Sequence, residues 1–213
     1  MAQILIFGTS ITYGAWDKEG GWVTRLRKYI DNKIIDSNNT YHHLIYNLGV
    51  SGDNTLGFLE RFNVETKLRI DDEKEETVII FSVGTNDSQF VNVSKQNRIS
   101  PEEFEKNLKK LIDMARKYTD KILMTGIIPV DDEKMDPIPW APEKSYKNEF
   151  IKQYDAIVKK VCEEEKIDFI EMFEHFINED YKTLLYDGVH PNAKGHEKIY
   201  EIVKKHLEDK GII

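Results

Sequence analysis

No stretch of the chain approaches the roughly 18 consecutive apolar residues that a membrane span needs, so no membrane-crossing helix is expected. Cysteine is nearly absent. Cys162 has no intramolecular disulfide partner, and a reducing cytoplasm is the expected compartment. Basic residues are in deficit, with 30 Lys and Arg against 38 Asp and Glu for a net charge of −8, and no basic run carries interleaved aromatics. Nucleic acid is therefore not an expected partner. The opening MAQILIF lacks a basic n-region and a cleavage motif, so no signal peptide is expected there. No Pro/Gly/Ser-rich linker, internal repeat or low-complexity tract divides the 213 residues, which suits one domain over 1–213 with an ample core. The acidic run DDEKEE, residues 71–76, reads as a solvated turn ahead of a buried strand.

Short apolar, β-branched runs are present at 3–7, 43–48, 77–83, 121–128 and 167–172, which makes five candidate strands. Between them apolar residues recur at helical spacing, as in Val23, Leu26, Ile30 and Ile34, or Phe104, Leu108, Leu111 and Ala115. Ser100 followed by Pro101 and Glu103 marks one helix start, and Asn192 another, with Gly211 as its stop. Nearly continuous apolar strands alternating with helices imply a parallel sheet covered on both faces, a three-layer α/β/α sandwich. In such open sheets ligands bind beyond the carboxyl ends of the strands.

Ser10 follows the first strand in GTSITYG, Gly52 follows the second in GVSGDN, and Asn86 follows the third in GTNDS. Asp187 and His190 follow the fifth, in DGVHPNAKGH. A serine hydrolase needs a hydroxyl nucleophile, an imidazole base, a group that sets the imidazole tautomer, and donors for the oxyanion. Ser10, His190 and Asp187 are the candidates for the first three. The N–H groups of Ser10 and Gly52 and the amide of Asn86 are candidates for the fourth. Glycine at 52 suits a close backbone approach to a reacting atom, and Asn86 is a neutral donor.

Taken together, FGTSITYG, GVSGDN, GTNDS and DGVHPNAKGH resemble the four blocks of the SGNH/GDSL hydrolase family, in order, over residues 7–196. The resemblance implies a flavodoxin-like α/β/α sandwich with five parallel strands. It also implies a nucleophile at Ser10, oxyanion donors at Gly52 and Asn86, and the Asp187/His190 pair. A carboxylic ester hydrolase acting on a small-molecule ester, with no metal or organic cofactor, is the expectation. Where the family usually has Gly-Asp-Ser-Leu this chain has Gly-Thr-Ser-Ile, so Thr9 replaces an acid outside the triad, which bears on loop hydrogen bonding. The GxSxG elbow of ordinary α/β-hydrolases is missing. A flavodoxin-like electron carrier is the competing reading, since the hydroxyl-rich loop after the first strand also resembles a phosphate-binding loop. It leaves Asn86, Asp187 and His190 without a task. A catalytically idle sugar-binding module is a third.

Other polar residues have simpler readings. Ser51 is a rival nucleophile beside Gly52. Asp87 reads as a turn former, His196 as a packed histidine in a stripe with Ile199, Val203 and Leu207, and His175 and His206 as surface residues. His42 and His43 would point to opposite faces of a strand, which disfavours a joint metal site. Cys162 reads as buried filler on a helix. The passage 130–146 is long for a connection, and Met135, Ile138, Pro139 and Trp140 need cover. They are expected to wall a substrate pocket or, equally, to pack on a neighbouring helix or in a homo-oligomer contact.

Overall fold

The computed structural model describes residues 2–38, 40–70 and 76–213. Of the acidic run expected as a turn, residues 71–75 lie outside the described residues, and Glu76 opens a strand. In chain order the first half holds β1 (Ala2–Gly8), α1 (Ser10–Tyr13), α2 (Gly21–Asp36), β2 (His43–Gly49), α3 (Thr55–Lys67), β3 (Glu76–Ser82), β4 (Phe90–Val91) and β5 (Gln96–Asn97). The second holds α4 (Pro101–Ala115), β6 (Ile122–Thr125), α5 (Asp132–Met135), β7 (Lys144–Ser145), α6 (Asn148–Glu165), β8 (Asp168–Ile170), α7 (Phe173–Ile177) and α8 (Ala193–Asp209), with a 3-10 turn at Tyr181–Leu184.

Each long apolar run becomes a strand of one parallel sheet, in the order β2-β1-β3-β6-β8. Burial on both sides explains the unbroken apolar character. Leu5, Phe7, Ile79 and Phe81 face a core built with Phe58 and Phe62 of α3, Phe104 of α4 and Tyr154 of α6. Ile4, Ile6, Val78 and Ile80 alternate to the other face, against Trp22 and Leu26 of α2 and Val203 and Leu207 of α8. Helices on both faces of a five-stranded parallel sheet form the α/β/α sandwich. The Phe7 ring lies 4.9 Å from Phe62 and 5.8 Å from Phe81, centroid to centroid. Truncating a ring buried so completely typically costs about 3–5 kcal/mol.

Helix starts follow local chemistry. The Ser100 hydroxyl accepts from Glu103 N at 3.2 Å ahead of Pro101, and Asn192 Oδ1 accepts from Lys194 N at 3.0 Å. The Asn54 side chain caps α3 in the same way. Gly211, at φ +63, follows the end of α8.

The sequence patterns do not reveal β4, β5 and β7, which form a second, antiparallel sheet in the order β5-β4-β7. Two-residue strands are too short to show a period. This sheet, together with α5 and a bridge between Ile138 and Ala141, pins down the passage 130–146. Met135 and Ile138 are consequently fully buried in the core beside α6, so of the two readings given them they take the packing one and do not wall a substrate pocket. His206 is half-buried rather than a surface residue, next to the buried Leu207 on α8; burial holds its imidazole below the usual value. His175 is exposed. No helix among the described residues is long and apolar enough to cross a membrane.

Candidate active site

The strand order reverses direction at β1, which has β2 on one side and β3 on the other, and the crevice beyond their carboxyl ends is where a ligand fits. Ser10 opens α1 directly after β1 and is almost buried. Its N–H belongs to the first turn of a helix, which leaves such groups without intrahelical partners. After β2 the chain turns through Val50–Asp53, with Asp53 N donating to Val50 O at 3.2 Å. Gly52 occupies the third position of that turn at φ +79. A side chain there would meet no protein atom within 4 Å, so what the protein itself asks of this position is the left-handed backbone angle. Arg98 Nη1 holds the Gly52 carbonyl at 3.0 Å. Arg61 links the two strand ends, donating to Gly8 O at 3.2 Å and to Asp53 Oδ2 at 2.8 Å.

After β3, Asn86 is buried with its amide fixed at both ends. Nδ2 donates to Asp53 O at 2.8 Å, and Oδ1 accepts from the Tyr146 hydroxyl at 2.7 Å. One amide hydrogen is thereby committed and one is left for a ligand. Asp87 is fully buried, which corrects its reading as a simple turn former: Oδ1 accepts from Thr55 N at 3.0 Å and from Thr55 Oγ1 at 2.6 Å. Burial pushes its carboxyl up to about 6, against the opposing pull of the Thr55 hydrogen bonds and the Arg98 charge.

The turn 186–190 closes on itself. Asp187 Oδ1 accepts from Val189 N at 3.0 Å and His190 N at 2.9 Å, and Tyr186 N donates to His190 O at 2.7 Å. Gly188, at φ +105, packs against Met135 and its carbonyl accepts from Asp131 N at 2.7 Å, so the buried Met135 supports this turn from below. The Asp187 Oδ2 oxygen stands 2.7 Å from His190 Nδ1, and His190 Nε2 stands 3.0 Å from Ser10 Oγ. Burial alone would raise the Asp187 carboxyl, but the side-chain and backbone hydrogen bonds from His190 outweigh it and hold the group below the usual carboxylate range. The hydroxyl, imidazole and carboxylate thus form one hydrogen-bonded chain that can take a proton from Ser10.

An open cleft of about 540 Å³ lies over this chain, lined by Trp16, Ser51, Trp140, Tyr186, Asp187 and His190. Three of its aromatic side chains are largely exposed: Trp16 at 61%, Trp140 at 58% and Tyr186 at 67%. Trp140 is therefore the one member of the expected apolar cluster Met135, Ile138, Pro139 and Trp140 to line the cleft; Pro139 is exposed but is not among the lining residues. Ser51 lines the cleft, whereas the hydroxyl bonded to the imidazole is that of Ser10. Sequence reasoning passed over Trp16 and Tyr186. Each adjoins a motif block, but an exposed aromatic belongs to no periodic pattern. It also passed over Tyr146 and Arg98, which reach the site from distant segments.

His196 is buried with Nε2 3.5 Å from Ala15 O, and burial lowers its imidazole to about 4, leaving it neutral beneath the Trp16 loop. Cys162 is buried and its thiol is pushed up to about 12, which makes it inert at neutral pH. Among the described residues no group of three or more His, Cys, Asp or Glu side chains is arranged to hold a metal ion.

A family model for the GDSL-like lipase/acylhydrolase family matches residues 6–198. No curated protein matches the chain. Similar solved structures include a lipase/acylhydrolase from Enterococcus faecalis, at 22% identity and TM-score 0.73 over 99% of this chain and 97% of the other. An acetyl xylan esterase, AlAXEase, superposes at 20% identity and TM-score 0.72 over 96% of this chain and 99% of its own. A catalytic mutant of an acetylxylan esterase from Geobacillus stearothermophilus does so at 18% identity and TM-score 0.69, over 96% and 93%. At such identities these likenesses speak for the fold.

Proposed function

This chain belongs to the GDSL-like lipase/acylhydrolase family and is a carboxylic ester hydrolase, and we propose that it acts as a serine esterase through an acyl-enzyme intermediate. The observation that carries the reading is the continuous chain from Ser10 Oγ to His190 Nε2 at 3.0 Å and from His190 Nδ1 to Asp187 Oδ2 at 2.7 Å. Ser10 Oγ attacks the acyl carbon while its proton passes to Nε2, and Asp187 holds the Nδ1 proton and stabilises the resulting imidazolium. The carbonyl oxygen, now negative, is received by the N–H groups of Ser10 and Gly52 and by the second amide hydrogen of Asn86. As the tetrahedral intermediate collapses, the leaving alkoxide takes the proton from Nε2. Water then attacks the acyl-enzyme by the same sequence, releasing the acid and restoring Ser10.

For the substrate we propose a short-chain, acetyl-type ester of a carbohydrate or comparable polyol. Three exposed rings around an open cleft offer flat apolar faces to the C–H faces of a sugar. Two of the structurally similar proteins are acetyl xylan esterases. The lone, buried Cys162 supports a reducing cytoplasm as the place of action.

The test pairs active-site labelling with a substrate series. A fluorophosphonate is expected to label Ser10 and to leave Ser10→Ala unlabelled, and acetylated xylose is expected to be turned over faster than long-chain acyl esters. Undiminished hydrolysis by a folded Ser10→Ala variant rejects the mechanism; preference for long acyl chains rejects the substrate class.

A further inference from the structure

Burying a carboxylate costs stability unless it is paired and fully hydrogen-bonded. Asp87 is fully buried, Oδ2 has no hydrogen-bond partner among the described residues, and the mechanism above gives the residue no proton to move. A turn at this place needs no acid. What the carboxylate does hold is the start of α3. Its Oδ1 takes both the N–H and the hydroxyl of Thr55, and the Thr55 hydroxyl in turn accepts from Asn107 Nδ2 of α4 at 3.1 Å.

Two rungs join the loop after β3 to the segment after β2. One runs from Asn86 Nδ2 to Asp53 O, and the other from Asp87 to Thr55 two residues further on. The amide of Asn86 is planar, so the direction of its second hydrogen is set jointly by where the Asp53 carbonyl and the Tyr146 hydroxyl stand. Asp53 is next to Gly52, whose carbonyl Arg98 fixes from the other side. The separation and aim of the two oxyanion donors contributed by different strands thus depend on the second rung.

We infer that Asp87 is a positioning residue that clamps the Asn86 loop to the head of α3 and so sets the geometry between the Asn86 amide and the Gly52 N–H. The inference rests on the oxyanion assignment proposed above. Asp87 itself touches no substrate. A misplacement on the order of 1 Å at such a donor is worth up to roughly 100-fold in rate, which gives the inference its magnitude.

The experiment compares Asp87→Ala, Asp87→Asn and Asn86→Ala, and the double variant Asn86→Ala/Asp87→Ala, on an activated acetyl ester, with circular dichroism and denaturant melts to select folded protein. Asp87→Ala is expected to lower kcat about 10- to 100-fold with KM within about twofold. Asp87→Asn, which keeps the acceptor oxygen, is expected to restore kcat to within a few-fold of the parent. In the Asn86→Ala background Asp87→Ala is expected to cost little more, since its effect passes through the missing amide. A folded Asp87→Ala with parental kcat, an Asn variant as poor as the Ala variant, or a full additive loss in the double variant each overturn the inference. Should Asp87→Ala not fold, Thr55→Val cuts the hydroxyl half of the same rung and is expected to lower kcat at constant KM; no change in kcat then overturns it. Ser10→Ala run alongside separates the two levels, because an active Ser10→Ala removes the mechanism itself, whereas a silent Asp87→Ala beside inactive Ser10→Ala and impaired Asn86→Ala removes only the clamp.

Discussion

The indole Nε1 of Trp16 stands 3.0 Å from His190 Nδ1, the same ring nitrogen that Asp187 Oδ2 reaches at 2.7 Å. An indole N–H can only donate and a carboxylate can only accept, so Nδ1 cannot satisfy both. With its proton on Nδ1 the imidazole donates to Asp187 and turns a lone pair toward Ser10, as a base must. With Nδ1 bare it accepts from Trp16, faces the carboxylate lone pairs and points an N–H at Ser10. The charge-assisted bond to Asp187 is roughly twice as strong as a neutral one, so the first tautomer prevails and the Trp16 N–H opposes it.

Replacing Trp16 by Phe keeps a ring edge on His190 and removes the opposing donor. The expected outcome is a kcat that is unchanged or raised, by at most about tenfold, the worth of one neutral hydrogen bond of about 0.5–1.5 kcal/mol. Steady-state kinetics on an activated acetyl ester checks it. A loss of tenfold or more in a folded variant would show that the indole N–H supports the base.

Asn86→Ala is expected to lower kcat by roughly 10²- to 10³-fold with KM nearly constant, as removal of one oxyanion donor does. The loss of the contacts to Asp53 O and Tyr146 adds a modest destabilisation, visible in a denaturant melt. A rise in KM at constant kcat would instead make Asn86 a residue that binds the ground state.

Ser10, Gly52, Asn86 and the Asp187/His190 pair stood out in the sequence as candidates because a parallel sheet delivers short polar loops to one rim, and glycine, serine and asparagine contrast with apolar strands. The strands were legible for the same reason, since both faces of β1 and β3 are covered and their buried middles, residues 4–7 and 78–81, are unbroken apolar runs. What escaped notice lacks such contrast. A buried carboxylate such as Asp87 has the same local sequence as a surface turn. Met135 and Trp140 lie five residues apart in one passage, and it takes the tertiary pairings of that passage, β7 with β4 and Ile138 with Ala141, to place one in the core and the other at the cleft. Trp16 owes its place to a positive φ of 66° that no propensity foretells for tryptophan.

Trp140 tests the cleft. Because more than half of its surface is exposed, Trp140→Ala is expected to leave the unfolding midpoint nearly unchanged, as surface substitutions generally do within about 0.5 kcal/mol. Its effect should fall on selectivity: kcat/KM for an acetylated sugar drops while that for the smallest acetyl ester holds. Equal losses on both substrates with a lowered midpoint would return Trp140 to a packing role.

Asp155 offers a test of stability remote from the triad. Its side chain is buried on α6, where Oδ1 accepts from Ile127 N at 2.7 Å just beyond β6. Burial pushes its carboxyl up to about 6; the Ile127 N–H and Lys159 pull it down, and Glu171 and Glu174 push it further up. A folded value above the unfolded one means that the native state binds the extra proton between about 3.8 and 6. Stability from this group is therefore full below that window and is lost as pH rises through it. The difference of about two units corresponds to about 3 kcal/mol at neutral pH. Asp155→Asn imitates the protonated acid and keeps the acceptor for Ile127. It is expected to stabilise the protein by up to about 3 kcal/mol at pH 7, with the gain shrinking toward zero as pH approaches the lower edge of the window. Urea melts of both proteins at pH 7 and near pH 4 measure the two differences. A variant no more stable at pH 7, or a gain of equal size at both pH values, would mean that Asp155 does not carry a buried charge in the native state.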